Sequence, residues 1–301
     1  MQPVLFYDRQ SKSVQTEVIY GETLMRYLYE TGPGAKLVDW FFSKHFVSRL
    51  YGHYQDSGLS RSKIKAFVRD FEIQMQEYEE TRYSSFNDFF IRKFRPGARV
   101  FAGAGAMPAF AEARYLAFDQ IRAEQSFPVK GAYLTAEALL GGAEKARPFQ
   151  DGPLLLARLC PTDYHRFHYP DEGTVEDHYR IGGALHSVNP LALAARGDIL
   201  ATNERQVTIL NTQRFGKLAY IEVGALCVGK IVQTHLTSGK PSSTFRRGEE
   251  KGYFLFGAST VIVIGEAGRW RPDLDLLEQT QQKRETLVRL GEQVAQAVAT
   301  A

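Results

Sequence analysis

An α+β fold is what this sequence predicts: a β-rich sandwich or partly open barrel that carries the chemistry, with a helical region before it and a helix after it. Three observations lead there. Apolar residues recur at helical spacing over the first third of the chain. Short apolar runs broken by Gly, Pro and Asn dominate from about residue 96, and helical spacing returns after Pro272. The expected units are 1–95, helical and suited to a membrane surface, 96–271, the β-rich catalytic domain, and 272–301, a helical tail.

In the first unit Leu24, Leu28, Leu37, Trp40 and Phe41 recur at roughly helical spacing, with Gly32-Pro33-Gly34 separating two short helices. Trp40-Phe41-Phe42-Ser43-Lys44-His45-Phe46 mixes bulky aromatics with cations, as helices lying in a lipid interface do. A helix packed on the main domain is the competing reading, and both hold if different faces are used. Ser60-Arg61-Ser62-Lys63 leads into Ile64, Phe67, Val68 and Phe71, a second amphipathic pattern that continues through Met75 towards Tyr78. In the second unit, runs such as Tyr115-Leu116-Ala117-Phe118, Leu154-Leu155-Leu156-Ala157 and Gln206-Val207-Thr208-Ile209-Leu210 read as strands. Beyond Pro272, Leu274, Leu277, Leu287, Leu290 and Val294 read as a helix.

Composition narrows the function. With 301 residues, 44% of them hydrophobic, the chain can bury a substantial core. A formal charge of +3 is too small to argue for a nucleic-acid partner, yet it suits an anionic membrane surface. Cys160 and Cys227 sit in apolar stretches without a second cysteine or a histidine at ligand spacing, which argues against a disulfide framework or a zinc site. The first residues carry no basic segment followed by an apolar one, and no run approaches eighteen apolar residues. The expectation is a soluble or peripheral protein on the cytoplasmic side of the cell membrane.

Two segments can carry chemistry. Tyr253-Phe254-Leu255-Phe256-Gly257-Ala258-Ser259-Thr260 runs straight into Val261-Ile262-Val263-Ile264, so a turn of small residues with a Ser-Thr pair interrupts a buried hairpin. Taken alone it reads as a β-turn whose hydroxyls satisfy local backbone groups. Alternatively, the apolar flanks hold one hydroxyl poorly hydrated, poised to attack the carbonyl before it. The second segment, Asp163-Tyr164-His165-Arg166-Phe167-His168-Tyr169-Pro170, is the densest cluster of titratable side chains. Its imidazoles can move protons near neutral pH. A metal would need a third ligand, for which Asp171, Glu172 or His178 are available; the expectation is that no metal is bound.

These segments, followed in order by Ser187-Val188-Asn189-Pro190, Asn203-Glu204-Arg205, Glu222-Val223-Gly224-Ala225 with Val228-Gly229, and Gly248-Glu249-Glu250 through Ser259-Thr260, resemble the phosphatidylserine decarboxylases. The resemblance covers about residues 85 to 265 and begins with Asn87-Asp88-Phe89-Phe90-Ile91-Arg92-Lys93 and Arg95-Pro96-Gly97. It implies a proenzyme that cuts itself between Ala258 and Ser259 into a β chain of 1–258 and an α chain of 259–301. Ser259 would become a covalent pyruvoyl group, the electron sink for loss of CO2 from phosphatidylserine to give phosphatidylethanolamine. By the same resemblance His168 is the base for self-cleavage, His165 serves the decarboxylation, and the partners are a membrane surface and a second copy in a homodimer. Two departures stand out. Ala258 replaces the usual glycine, restricting the backbone at the cut. Glu112, in Ala109-Phe110-Ala111-Glu112-Ala113, replaces the aspartate that would orient the base histidine. They keep open a relative that binds lipid headgroups without processing, and a pyruvoyl decarboxylase of another amine.

Overall fold

The computed structural model describes residues 3–42, 45–121, 134–225, 230–234, 236–237, 240–241, 244–257 and 259–298. Ala258, Cys227, Val228 and Gly229 therefore lie outside the described residues, as does Ser43-Lys44 of the aromatic segment. Among the described residues a ten-stranded sheet dominates. Its order is Thr244–Phe245, Gly173–Ile181, Arg205–Thr212, Gly216–Val223, Ser259–Gly265, Leu154–Leu159, Ala113–Phe118, Glu285–Val288, Leu5–Asp8 and Ser13–Thr16. Neighbours are antiparallel except Leu5–Asp8 beside Glu285–Val288, and the sheet stays open rather than closing on itself. The α+β, β-rich class is as expected.

The strand Ser259–Gly265 occupies the interior of this sheet, paired with Leu154–Leu159 on one side and Gly216–Val223 on the other. Val261, Ile262, Val263 and Ile264 are all completely buried, which is why they form a continuous apolar run rather than an alternating one. A three-stranded sheet of Ile231–Gln233, Glu250–Phe254 and Arg166–His168 lies over its start, setting Tyr253 against Arg166 and Glu250 against His168. The serine and histidine segments are thereby brought to one end of the molecule.

Both ends of the chain differ from the sequence-based expectation. The first strands, Leu5–Asp8 and Ser13–Thr16, precede any helix and join the main sheet. The two short helices expected here are Glu22–Glu30 and Gly32–Leu37, but the break falls at Thr31 and Gly32-Pro33-Gly34 opens the second, capped by Thr31, whose hydroxyl accepts from the Gly34 N–H at 3.1 Å. Gly34 is required there, since a β-carbon would stand 2.0 Å from the Tyr27 carbonyl oxygen. At the C-terminus only Leu274–Gln281 is helical; Lys283 turns the chain at φ 57°, and Glu285–Val288 and Gln293–Ala297 are strands. No helix among the described residues is long and apolar enough to cross a membrane.

Candidate active site

Ser259 heads its strand opposite Leu159, fully buried, and its hydroxyl has no hydrogen-bond partner among the described residues. Leaving a buried hydroxyl unpaired costs about 1–3 kcal/mol, so such an atom is a candidate reacting group. Thr260 Oγ1 beside it is also unpaired. The approach to Ser259 is clamped. Phe256 packs edge-on against Phe86 and Phe90, at 5.1 and 5.0 Å between ring centres, and its N–H donates to Asn87 Oδ1 at 2.8 Å. Asn87 Nδ2 in turn donates to Asp56 at 2.7 Å, tying the turn to the N-terminal helices. Gly257 has φ 149°, a backbone state that glycine alone adopts freely. The conformational freedom that matters is used at Gly257, one residue before Ala258.

His165 is the imidazole beside this turn. It is completely buried, its ring lies 3.8 Å from the centre of Phe90, and its Nδ1 donates to the Asp163 carbonyl at 2.9 Å. That bond leaves Nε2 as the other nitrogen; it lies by the Gly257 backbone but makes no hydrogen bond of good geometry among the described residues. Burial pushes the imidazole down to about 3, the nearby Arg92 cation adding to the effect, while the Asp163 and Gly257 backbone favours the protonated ring. His168 faces elsewhere. Its Nδ1 donates to the Gly248 carbonyl at 2.9 Å, its Nε2 lies 3.4 Å from the Tyr164 hydroxyl, and burial lowers its pKa.

Glu112 is not brought to His168. Arg99 grips its carboxylate with two bonds, of 2.6 and 2.8 Å, and the Leu290 N–H donates to it at 3.1 Å. The segment does approach the histidine, but through Phe110, whose carbonyl accepts from the His168 N–H at 2.8 Å. The longer side chain of Glu112 is committed to joining Arg99 to the C-terminal strands. Of the alternative metal ligands, Asp171 and His178 are engaged too. Asp171 binds Arg247 at 2.7 Å and the Arg214 N–H at 2.9 Å, and His178 bonds Thr208 at 3.0 Å in the main sheet.

Sequence reasoning missed the ionic floor of the site. Arg158, opposite Thr260 in the sheet, binds Glu17 at 2.6 and 3.1 Å and Glu285 at 2.8 Å. Burial opposes ionisation of Glu17, but Arg158 and Arg114 outweigh it and hold the carboxyl at about 2. A cavity of about 260 Å³ opens above this pair, lined by Glu17, Leu24, Met25, Tyr51, Arg158 and Gly257 among others. It joins the N-terminal helices to the serine turn. No pattern in the sequence signals Glu17, which meets Arg158 across 141 residues.

These shifts fix a pH dependence of stability. His165 is neutral when folded down to about 3 but protonates near 6.5 when unfolded. The unfolded chain therefore binds more protons between those values, so stability is full above pH 6.5 and falls as pH is lowered towards 3. Glu17 adds to the loss as pH falls from 4.5 to about 2. Urea midpoints measured from pH 8 to pH 4 should fall with acid in the natural chain and fall less steeply in His165→Gln.

Comparison with known proteins bears on what this arrangement does. The family model described as phosphatidylserine decarboxylase matches residues 86–296, a span that holds Asn87, both histidines and the whole serine strand. The chain is 39% identical over 294 residues to the phosphatidylserine decarboxylase proenzyme of Clostridium tetani, covering 97% of both chains. It is 37% identical to the proenzyme of Desulfitobacterium hafniense, again over 97% of each, and 36% identical to that of Clostridium perfringens, over 97% of this chain and 99% of the relative. The protein is a decarboxylase, a carboxy-lyase. It belongs to the phosphatidylserine decarboxylase family.

Proposed function

We propose that this chain is a self-processing enzyme that converts phosphatidylserine to phosphatidylethanolamine and CO2 through a pyruvoyl group made from Ser259. The observation that carries this reading is the unpaired, fully buried Ser259 hydroxyl at the head of an interior strand, with the free Nε2 of His165 next to the Gly257 backbone. Ser259 Oγ attacks the carbonyl carbon of Ala258, and the peptide nitrogen leaves as the serine amine, giving an ester. Removal of the serine α-proton expels the Ala258 carboxylate and leaves an N-terminal dehydroalanine. Water then replaces its nitrogen, releasing ammonia and leaving the ketone. The β chain, 1–258, and the α chain, 259–301, stay together through the pairing of Ser259–Gly265 with its two neighbours.

The residues present suit a ketone at this point: the site is buried, the hydroxyl precursor is unpaired, and no competing nucleophile bonds it. When formed, the pyruvoyl group would be held at position 259 and would accept the electrons released as CO2 departs. His165 Nε2, bare at rest, is the proposed relay: it takes a proton from the substrate amine and returns it to the substrate carbon that loses CO2. His168 is the proposed base for self-cleavage, with the Gly248 carbonyl at its Nδ1 orienting it in place of Glu112. Glu112, absorbed by Arg99, is the specific reason to retain the non-processing relative as a second reading. An intact chain that sediments with liposomes but releases no CO2 would favour it.

The membrane face of the same reading rests on the helix His45–Asp56 and its neighbours. Phe46 and Leu50 are 72% and 63% exposed on this helix while Ser48 and Gln55 are buried, the reverse of an ordinary surface helix. Trp40 is 79% exposed and Leu59 78%. Such a face suits a lipid surface, with the protein peripheral on the cytoplasmic side of the cell membrane. Trp40→Ser with Phe46→Ser should weaken sedimentation with phosphatidylserine vesicles about tenfold or more while self-cleavage continues. Undiminished binding would place the contact elsewhere. The homodimer belongs to the same reading, and light scattering of the processed protein checks it. The substrate is tested by comparing release of labelled CO2 from vesicle phosphatidylserine with release from free serine. Turnover of the free amino acid alone would move the enzyme to another amine.

A further inference from the structure

Arg92 is a buried cation that pairs with no carboxylate among the described residues. Only 2% of it is exposed, its Nη2 donates to the carbonyls of Thr162 at 2.7 Å and Asp163 at 3.1 Å, and its Nε and Nη1 have no partner. The guanidinium lies over the rings of Tyr78 and Phe89, 4.5 and 5.0 Å from their centres. The carboxylate of Asp163, whose carbonyl Arg92 holds, turns away to Arg114 at 2.8 Å and to the Cys160 N–H at 2.7 Å. Burying an unpaired charge is costly, and an apolar side chain would serve packing alone better. The Asp163 carbonyl explains the arrangement, because it also accepts from His165 Nδ1 at 2.9 Å. One oxygen is thus shared by Arg92 Nη2 and the imidazole beside Gly257.

We propose that Arg92 is a positioning residue for His165: by gripping the Thr162 and Asp163 carbonyls it fixes the loop and holds the imidazole in the tautomer that keeps Nε2 free towards the serine turn. The inference rests on the decarboxylase reading for its meaning in turnover, but not for its geometry. A carbonyl oxygen can only accept, so His165 Nδ1 must carry the hydrogen for as long as Asp163 is held where it is. The positive charge of Arg92 also disfavours a second proton on the ring. The other charged or titratable groups near the ring are on its own loop. Asp163 is neutralised by Arg114, Arg166 is paired with Glu250 at 2.8 Å, and Tyr164 is turned to His168. The elements packed against it otherwise present Phe90 and the Gly257 backbone.

The test has two readouts. Nitrogen-15 spectra of histidine-labelled Ser259→Ala, with His165 assigned by difference against the double variant carrying His165→Gln, report the tautomer without need of activity. The expected spectrum has hydrogen on Nδ1 and a bare Nε2 that persists below pH 5. Adding Arg92→Gln should mix the tautomers and raise the protonation midpoint by about one unit. In the cleavable chain, Arg92→Gln should lower kcat on phosphatidylserine vesicles about tenfold with little change in KM, and move the acid limb upward by the same unit. Arg92→Lys, which restores the charge without the fork, should recover the limb but only part of kcat. Hydrogen on Nε2 in the chain that retains Arg92 would overturn the proposal. So would a folded Arg92→Gln protein with unchanged tautomer and acid limb. Should Arg92→Gln fail to fold, Arg92→Lys and the tautomer itself decide. A chain that never cuts or turns over defeats the decarboxylase reading alone, because the spectrum still judges Arg92.

Discussion

Ser259→Ala is expected to leave one uncut chain of 33.9 kDa that releases no CO2 from phosphatidylserine, with its fold intact. The hydroxyl it removes is fully buried and makes no hydrogen bond, so nothing in the packing depends on it. Deleting an unpaired polar atom should be neutral or slightly stabilising, in contrast to the loss of a bonded one. The thermal midpoint should therefore hold or rise while processing disappears. A variant that still yields two fragments would move the attacking group elsewhere, and Thr260, the adjacent unpaired hydroxyl, would be next to examine.

The second large effect separates the histidines. His165→Gln should still cut but lose turnover by about a hundredfold or more, the usual worth of a positioned acid or base. His168→Gln should leave most of the protein uncut. The roles follow the family resemblance, and the geometry sets what each ring must do. His165 has one nitrogen free beside Gly257, whereas His168 has both nitrogens engaged, with the Gly248 carbonyl and the Tyr164 hydroxyl. For His168 to serve the cut it must exchange its weak 3.4 Å contact with Tyr164 for the serine, and Tyr164→Phe should then speed processing rather than stop it. If instead His165→Gln blocks the cut and His168→Gln does not, the two roles are reversed.

Much of the site could be read in the sequence because its parts are local. Ser259 follows Phe256 and Gly257 in the chain, and His165 and His168 share one short segment, so residue order made them candidates and the family resemblance gave them roles. Glu112 could not be placed in this way. Its partner is decided by where Arg99 and Leu290 arrive in space, and a guanidinium outcompetes a histidine for a carboxylate that can bind it with two bonds. Glu17 and Arg158 were invisible for the same reason, since ion pairs between distant strands leave no spacing signal. The C-terminal strands were misread because Leu287 and Leu290 sit near helical spacing while the residues turned inward from Glu285–Val288 are Thr286 and Val288. A buried threonine breaks the apolar pattern on which periodicity depends.

Intact-mass spectrometry of the purified natural protein tests the central claim most directly. The expected result is two species, corresponding to 1–258 and 259–301, the smaller one lighter than the unmodified fragment by one ammonia and shifted further by borohydride reduction of its ketone. One species with the mass of the full chain, from a preparation that nonetheless decarboxylates phosphatidylserine, would contradict it.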